Sequence, residues 1–406
     1  METSIIKSIL ETPEGQEADR ILRACVHCGF CTATCPTYQL LGDELDGPRG
    51  RVYLIKQMLE GHAPSHRTQQ HLDRCLTCRA CETTCPSGVQ YARLADIGRA
   101  HIENRVKRPL KERLTRLALR KLVPYPERFS VLLRLGRLAG PLLPTSLKAQ
   151  IPPVQEIGSR PKSDHKRKML VLEGCAQKAA TPATNAATSR LFDRLQISLI
   201  SEASAGCCGA VDHHLSAEEP ALAAMRKNID AWWPQIENGA EAIIMTASGC
   251  GAMVKEYAHL LRNDPAYAEK ATRVSALAKD VGEVLAREDL SSLGIDGQRM
   301  PIAFHPPCTL QHGQKLPGLV EGILAKLNYK LTPVTDSHLC CGSAGTYSIL
   351  QPALSEQLLT QKLHHLGAGK PELIATANVG CQLHLASQSS LPVRHWVELL
   401  DEALPR

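Results

Sequence analysis

The sequence predicts a helical N-terminal module followed by two tandem α/β repeats, an α + α/β chain. Three observations carry this. Two cysteine runs of identical spacing fall within residues 1–98, among helical apolar patterns and almost without strand signals. A second cysteine pattern occurs twice in residues 169–406, each cysteine site lying shortly after an apolar run of strand length. Helical periodicity fills the intervals between those runs, the alternation expected of parallel sheets with crossover helices.

The helical module comes first. Residues 18–24 read as a short helix leading into Cys25, Cys28, Cys31 and Cys35, the last followed by Pro36. After Gly47-Pro48-Arg49-Gly50, residues 51–60 carry apolar side chains at helical spacing, and Gly61 stands where a C′ glycine would stop the helix. Residues 71–74 lead into Cys75, Cys78, Cys81 and Cys85, followed by Pro86, and residues 94–102 are again helical.

The run C-x2-C-x2-C-x3-C-P, present twice, is the spacing that holds a pair of [4Fe–4S] clusters. Three closely spaced thiolates wrap one cubane, and the fourth cysteine completes the other. The first cluster would then take Cys25, Cys28, Cys31 and Cys85, and the second Cys75, Cys78, Cys81 and Cys35. Structural zinc favours two separated CxxC pairs and leaves the third and fourth cysteines of each run unexplained. A disulfide framework suits short secreted chains, whereas this one has 406 residues and begins without a basic segment followed by an apolar one. Thiols of this kind must stay reduced during assembly, which points to the cytosol or the cytosolic face of a membrane.

Bulk composition narrows the class. The length allows two to three domains. Aromatic residues are only 4%, which argues against base-stacking nucleic-acid surfaces. No apolar run reaches the ~18–20 residues that span a bilayer. Net charge is +6, yet residues 101–168 hold 17 Lys and Arg against 5 Asp and Glu, a local +12 that leaves −6 for the rest. Residues 99–168 therefore read as a basic helical linker. Within it residues 111–122 place Leu114, Leu117, Ala118 and Leu122 on one face, and the prolines from Pro124 to Pro161 are expected to break the remainder into short pieces. Such a segment is either a solvated, partner-docking linker or an interfacial one that touches anionic lipid.

Residues 169–290 and 291–406 form an internal repeat. One copy has Cys175, Cys207-Cys208-Gly209 and Cys250; the other has Cys308, Cys340-Cys341-Gly342 and Cys381. The first gap is 32 residues in both copies, and the second is 42 and 40. Strands are expected over 169–172, 197–200 and 242–245, and again over 302–304, 330–334 and 373–376. Helices are expected over 183–195 and 354–366. In such sheets ligands bind beyond the carboxyl ends of the strands, where these cysteines fall.

The paired Cys-Cys-Gly repeat resembles the cysteine-rich (CCG) domains of heterodisulfide reductases and related respiratory subunits. Joined to a double-cluster ferredoxin module, and with the stretch from Cys25 to Tyr38 and on through Gly47-Pro48-Arg49-Gly50-Arg51, the chain is similar over nearly its whole length to the iron–sulfur subunit family of bacterial glycolate oxidases (glycolate dehydrogenases). That resemblance implies an oxidoreductase complex in which partner flavin subunits oxidise glycolate, and less well D-lactate, to glyoxylate. This chain would relay electrons through two [4Fe–4S] clusters toward a membrane quinone, peripherally on the inner face of the cell inner membrane. No dinucleotide or P-loop fingerprint suggests flavin, NAD or nucleotide on this chain, and no catalytic residue is expected on it.

The full pattern of those domains ends in CxxC, but Ala247 and Asn378 replace the first cysteine of that pair. Four thiols per repeat remain, Cys175, Cys207, Cys208 and Cys250, and Cys308, Cys340, Cys341 and Cys381. They suffice for an additional cluster, a zinc ion, or a redox-active thiol pair. His213, His214, His305, His338 and His384 lie near these cysteines; they either hydrogen-bond within polar loops or serve as ligands and proton relays, His305 being the best placed. Competing assignments are the analogous subunit of a glycerol-3-phosphate or lactate dehydrogenase, a thiol–disulfide reductase using the CCG sites, and a redox-sensing module.

Overall fold

The computed structural model describes residues 1–144, 148–297 and 299–405. The chain divides into two compact units.

The first unit comprises Met1–Leu117, His214–Ser216 and His338–Leu358. Among its described residues there is no strand, as the scarcity of β-branched alternation implied. Its frame is four helices, Pro13–Ala24, Pro48–Leu59, His66–Asp73 and Tyr91–Glu103. Thr12 caps the first by accepting the Gly15 N–H, and a Ser65/Thr68 capping box starts the third. Leu22, Ile55, Leu59, Leu72, Leu94 and Ile102 form the core between them. Gly98 permits the closest approach: a Cβ there would stand 2.6 Å from Ile55 Cγ1.

The helix expected over 111–122 spans Leu110–Leu122, and its apolar face stays unpacked. Leu114 and Leu117 are exposed, and the helix buries only Leu119. The reason is electrostatic. Arg108 and Arg116 both pair with Asp73 and Glu112, which anchors the polar side of the helix inward. A second difference concerns the prolines. Pro126 does not break a helix but starts one, Pro126–Leu138, from the first-turn position where its missing N–H costs nothing.

The second unit comprises Ala118–His213, Ala217–Ser337 and Leu359–Arg406. It holds two four-stranded parallel sheets. The first contains β1 (Arg167–Leu172), β2 (Ile197–Ile200), β3 (Ile243–Met245) and β4 (Ala278–Asp280) in the order β2-β1-β3-β4. The second contains β5 (Pro301–His305), β6 (Lys330–Leu331), β7 (Leu373–Thr376) and β8 (Val393–His395) in the order β6-β5-β7-β8. The expected helices appear as Pro182–Arg194 and Pro352–Gly367. Strand β6 stops well short of residue 334, and Pro333 has no N–H to extend its ladder.

The same topology in both sheets gives the internal repeat its structural form. Phe192, Ile244 and Leu285 from one copy and Phe304, Leu324 and Trp396 from the other belong to one buried cluster. Polar ties cross this contact. His395 Nε2 lies 2.8 Å from the Thr246 carbonyl oxygen, and Arg190 reaches Asp401.

Candidate metal centres

Each cysteine run of the first unit folds through the same backbone device. His27 and Gly29 flank Cys28 with positive φ (56° and 87°), and Thr77 and Arg79 flank Cys78 likewise (53° and 62°). Left-handed residues on both sides of the second cysteine reverse the chain twice, and a β-branched threonine rarely adopts that conformation unless its surroundings require it. One-turn helices follow, Phe30–Ala33 and Ala80–Thr83. Pro36 then opens the helix Pro36–Leu41 directly after Cys35.

Two cavities result. Cys25, Cys28, Cys31 and Cys85 line one of about 460 Å³, with Val26, Phe30, Val52 and Val89 among its other walls. Cys35, Cys75, Cys78 and Cys81 line another of about 350 Å³, together with Thr37, Arg51 and Tyr91. Cys81 borders both. Thiols from both loops thus border each cavity. The donor set fits an iron–sulfur cluster.

The two cavities differ in surroundings. At the first, Cys28, Val26 and Phe30 are exposed. Burial, with the neighbouring Cys25 thiol, pushes Cys31 up to about 11. At the second, burial alone would also raise Cys75. The Arg51 and Arg99 guanidiniums, the Thr77 N–H and the Tyr91 hydroxyl outweigh it and hold that thiol below its ordinary value. Arg51, Arg99 and Tyr91 were not among the sequence candidates. A signal for Arg51 exists, since it occupies the same helical stripe as Ile55, Met58 and Leu59, where a charge is out of place without a purpose.

In the second unit the thiols of the first repeat gather at the carboxyl ends of the strands. Cys175 follows β1, Cys207 and Cys208 follow β2, and Cys250 follows β3. The Cys175 and Cys207 sulfurs are 3.5 Å apart. Cys208 shares hydrogen bonds with both Cys207 and Cys250, and these neighbours together with burial raise its thiol well above the ordinary range. Cys207 is shifted the other way, because Cys175, Cys208 and the Gly209 and Val211 N–H groups all stabilise its thiolate. Gly209 has φ +89° and lies against the Ala221 carbonyl, which a side chain would strain in both respects. Asn228 donates to the Cys207 carbonyl and accepts from Gly206 N–H, while Tyr257 donates to the Cys208 carbonyl. Asn228 and Tyr257 also escaped the sequence reading.

Of the second repeat, Cys308 and Cys381 belong to the second unit, and Cys340 and Cys341 to the first. All four are buried. Asn378 stands in place of a further cysteine. Its amide nitrogen is 3.6 Å from Cys381 Sγ and its oxygen accepts the Gly249 N–H. His305 is 1% exposed and neither ring nitrogen has a hydrogen-bond partner. A ligand atom of its ring lies within 4.8 Å of Cys381 Sγ. Burial, with Lys362 and His384 nearby, holds His305 neutral, far below the usual histidine range. His214 lies 3.6 Å from Asp96 and is partly exposed.

Comparison with known proteins finds matches to both cysteine patterns. A family described as "4Fe-4S dicluster domain" matches residues 21–89, and one described as "Cysteine-rich domain" matches residues 169–255 and 302–386. The glycolate oxidase iron–sulfur subunit of Escherichia coli (strain K12) is 58% identical over 407 residues, covering 100% of both chains. The probable glycolate oxidase iron–sulfur subunit of Bacillus subtilis (strain 168) is 30% identical, covering 89% of this chain and 87% of that one. Lactate utilization protein A of Geobacillus thermodenitrificans (strain NG80-2) is 28% identical over 53% of this chain and 90% of its own.

Proposed function

The chain belongs to the family of glycolate oxidase iron–sulfur subunits, and we propose that it carries electrons from partner flavin subunits, which oxidise glycolate and less well D-lactate, to a membrane quinone. The observation that carries this is the convergence of two complete four-thiol sets on two cavities of one helical unit. Cys25, Cys28, Cys31 and Cys85 would hold one [4Fe–4S] cluster, and Cys35, Cys75, Cys78 and Cys81 the other. A cluster bound there supplies reversible one-electron transfer. Conversion of glycolate to glyoxylate releases two electrons, so two such centres match one turnover of a flavin donor. The chain's own part is to hold the thiolates, exclude water from the second centre, and expose the edge of the first at Cys28. The first-repeat thiols are the candidate for an additional metal or cluster.

Glycolate is favoured over lactate as the partner's substrate because the full-length resemblance is to glycolate oxidase subunits, while the lactate utilization proteins match only about half of this chain. Among the described residues no helix is long and apolar enough to cross a membrane. Attachment at the inner face of the cell inner membrane would be peripheral. The helices Leu110–Leu122 and Pro126–Leu138 support it, since they leave Leu114, Leu117, Leu135 and Leu138 exposed within the basic segment.

Iron and acid-labile sulfide analysis with EPR on anaerobically purified complex tests the central claim. About eight irons per chain are expected from two cubanes, falling to about four in Cys75→Ser. About twelve or sixteen would add clusters in the repeats. A content of one or two zinc ions without sulfide would sink the reading.

A further inference from the structure

Arg51, the last residue of the Gly47-Pro48-Arg49-Gly50-Arg51 segment, is only 1% exposed. It lines the second cavity alongside Cys35, Cys75, Cys78 and Cys81. The fold goes to some length to place it there. Gly50, in the first turn of the helix Pro48–Leu59, packs so closely against the preceding loop that a Cβ would stand 2.1 Å from the Glu44 carbonyl oxygen. Arg51 Nε then donates to the His71 carbonyl (2.7 Å), and Nη2 donates to Thr37 Oγ1 (3.1 Å). That hydroxyl is itself 3.3 Å from Cys35 Sγ.

Its charge is not cancelled one for one. The nearest carboxylate, Asp46, lies 3.5 Å from Arg51 but is also held by Arg74 at 2.7 Å and by His71 Nδ1 at 3.0 Å. One buried anion thus serves two guanidiniums. Arg99 adds a second cation against the same loop, donating to the Cys75 carbonyl (2.6 Å) and to Thr77 Oγ1 (2.7 Å). The first cavity is placed differently with respect to charge: the Met1 ammonium donates to the Cys25 carbonyl (2.7 Å), and the one arginine in its lining, Arg49, is 38% exposed and pairs with Glu44 at 2.6 Å. Solvent screens a charge in that position.

One-electron reduction of a four-thiolate cluster makes it one unit more negative, with no bond formed or broken. Burial opposes that change, and a cation in the same low-dielectric surroundings favours it. We propose that Arg51 raises the reduction potential of the centre at Cys35, Cys75, Cys78 and Cys81, with Asp46 as its partial counterweight. This makes the more enclosed of the two centres able to accept an electron delivered by the reduced flavin of a partner subunit. It rests on the assignment of a [4Fe–4S] cluster to those four cysteines.

An EPR-monitored redox titration of the intact complex, with dithionite as reductant, tests it. In Arg51→Gln one of the two one-electron couples is expected to become at least tenfold harder to reduce, a drop of 59 mV or more, while the other stays in place. In Asp46→Asn the same couple is expected to rise. A purely structural role would not move the couple in opposite directions. If the wild-type complex lacks a second couple, the cluster assignment itself fails. If both couples are present and neither variant moves one selectively, the role of Arg51 is overturned. Should Arg51→Gln lose the cluster, Asp46→Asn decides: a rise supports the proposal, and no rise or a fall overturns it.

Discussion

Acidification should weaken the second unit through one buried imidazole, His395. Its ring is fully enclosed. Nε2 faces the Thr246 carbonyl at 2.8 Å, and Nδ1 accepts the Val397 N–H at the start of the helix Trp396–Glu402. That pair of contacts selects the neutral ring, and burial lowers its pKa from 6.5 to about 4, which the Thr246 and Ala377 carbonyls only partly offset. The unfolded chain takes up a proton near 6.5 and the folded one does not. The contribution is therefore complete above that value and is lost as pH falls toward 4. Between about pH 7.5 and pH 5.5 the loss comes to about 1.3 kcal/mol. Asp280 works in the opposite sense. Burial raises its carboxyl from 3.8 to about 6, so folding gains about 0.8 kcal/mol over the same interval. Asp280 thus offsets part of the His395 loss, and each effect is read by comparison with its own substitution. All three tryptophans, Trp232, Trp233 and Trp396, lie in this unit, so urea unfolding followed by tryptophan fluorescence reports it. His395→Gln should cost stability at every pH but make the unit relatively less acid-sensitive. Asp280→Asn should remove the opposing gain. A stability difference between wild type and His395→Gln that stays constant with pH would refute the reasoning.

Two further outcomes are expected. Trp396→Ala removes a fully buried indole from the core shared by both sheets and should cost about 3–5 kcal/mol in urea unfolding, whereas Trp396→Phe should retain most of that. Vesicles containing anionic phosphatidylglycerol should retain the wild-type complex in flotation, and the double substitution Leu135→Glu with Leu138→Glu should release it. Failure of the wild-type complex to float at low salt would count against attachment through this segment.

The cysteine runs and the repeat were legible because thiol spacing and strand-length apolar runs are local properties. The same holds for six of the eight strands found among the described residues. The missed ones, β4 and β8, each lie at one edge of their sheet, are three residues long, and their sequences, Ala-Lys-Asp and Val-Arg-His, carry little apolar signal. Why Leu114 and Leu117 of Leu110–Leu122 face outward is a different matter. Helical periodicity reports which side chains share a face, but ion pairs with Asp73, distant in sequence, decide which face turns inward. Arg51 and His395 were overlooked because their importance lies in what surrounds them. A buried guanidinium and a buried neutral imidazole look, in the sequence, like any other arginine and histidine.

The make-up of the first unit bears on how the protein is born. Its two cysteine loops are finished by Cys85, yet the unit also includes His338–Leu358, where the Tyr347 hydroxyl donates to the Arg74 carbonyl next to Cys75. A ribosome must therefore synthesise the whole first repeat and part of the second before the surroundings of Cys75 are complete. Until then the loop at Cys75 lacks a contact that the finished unit supplies, so its surroundings are completed only late in synthesis.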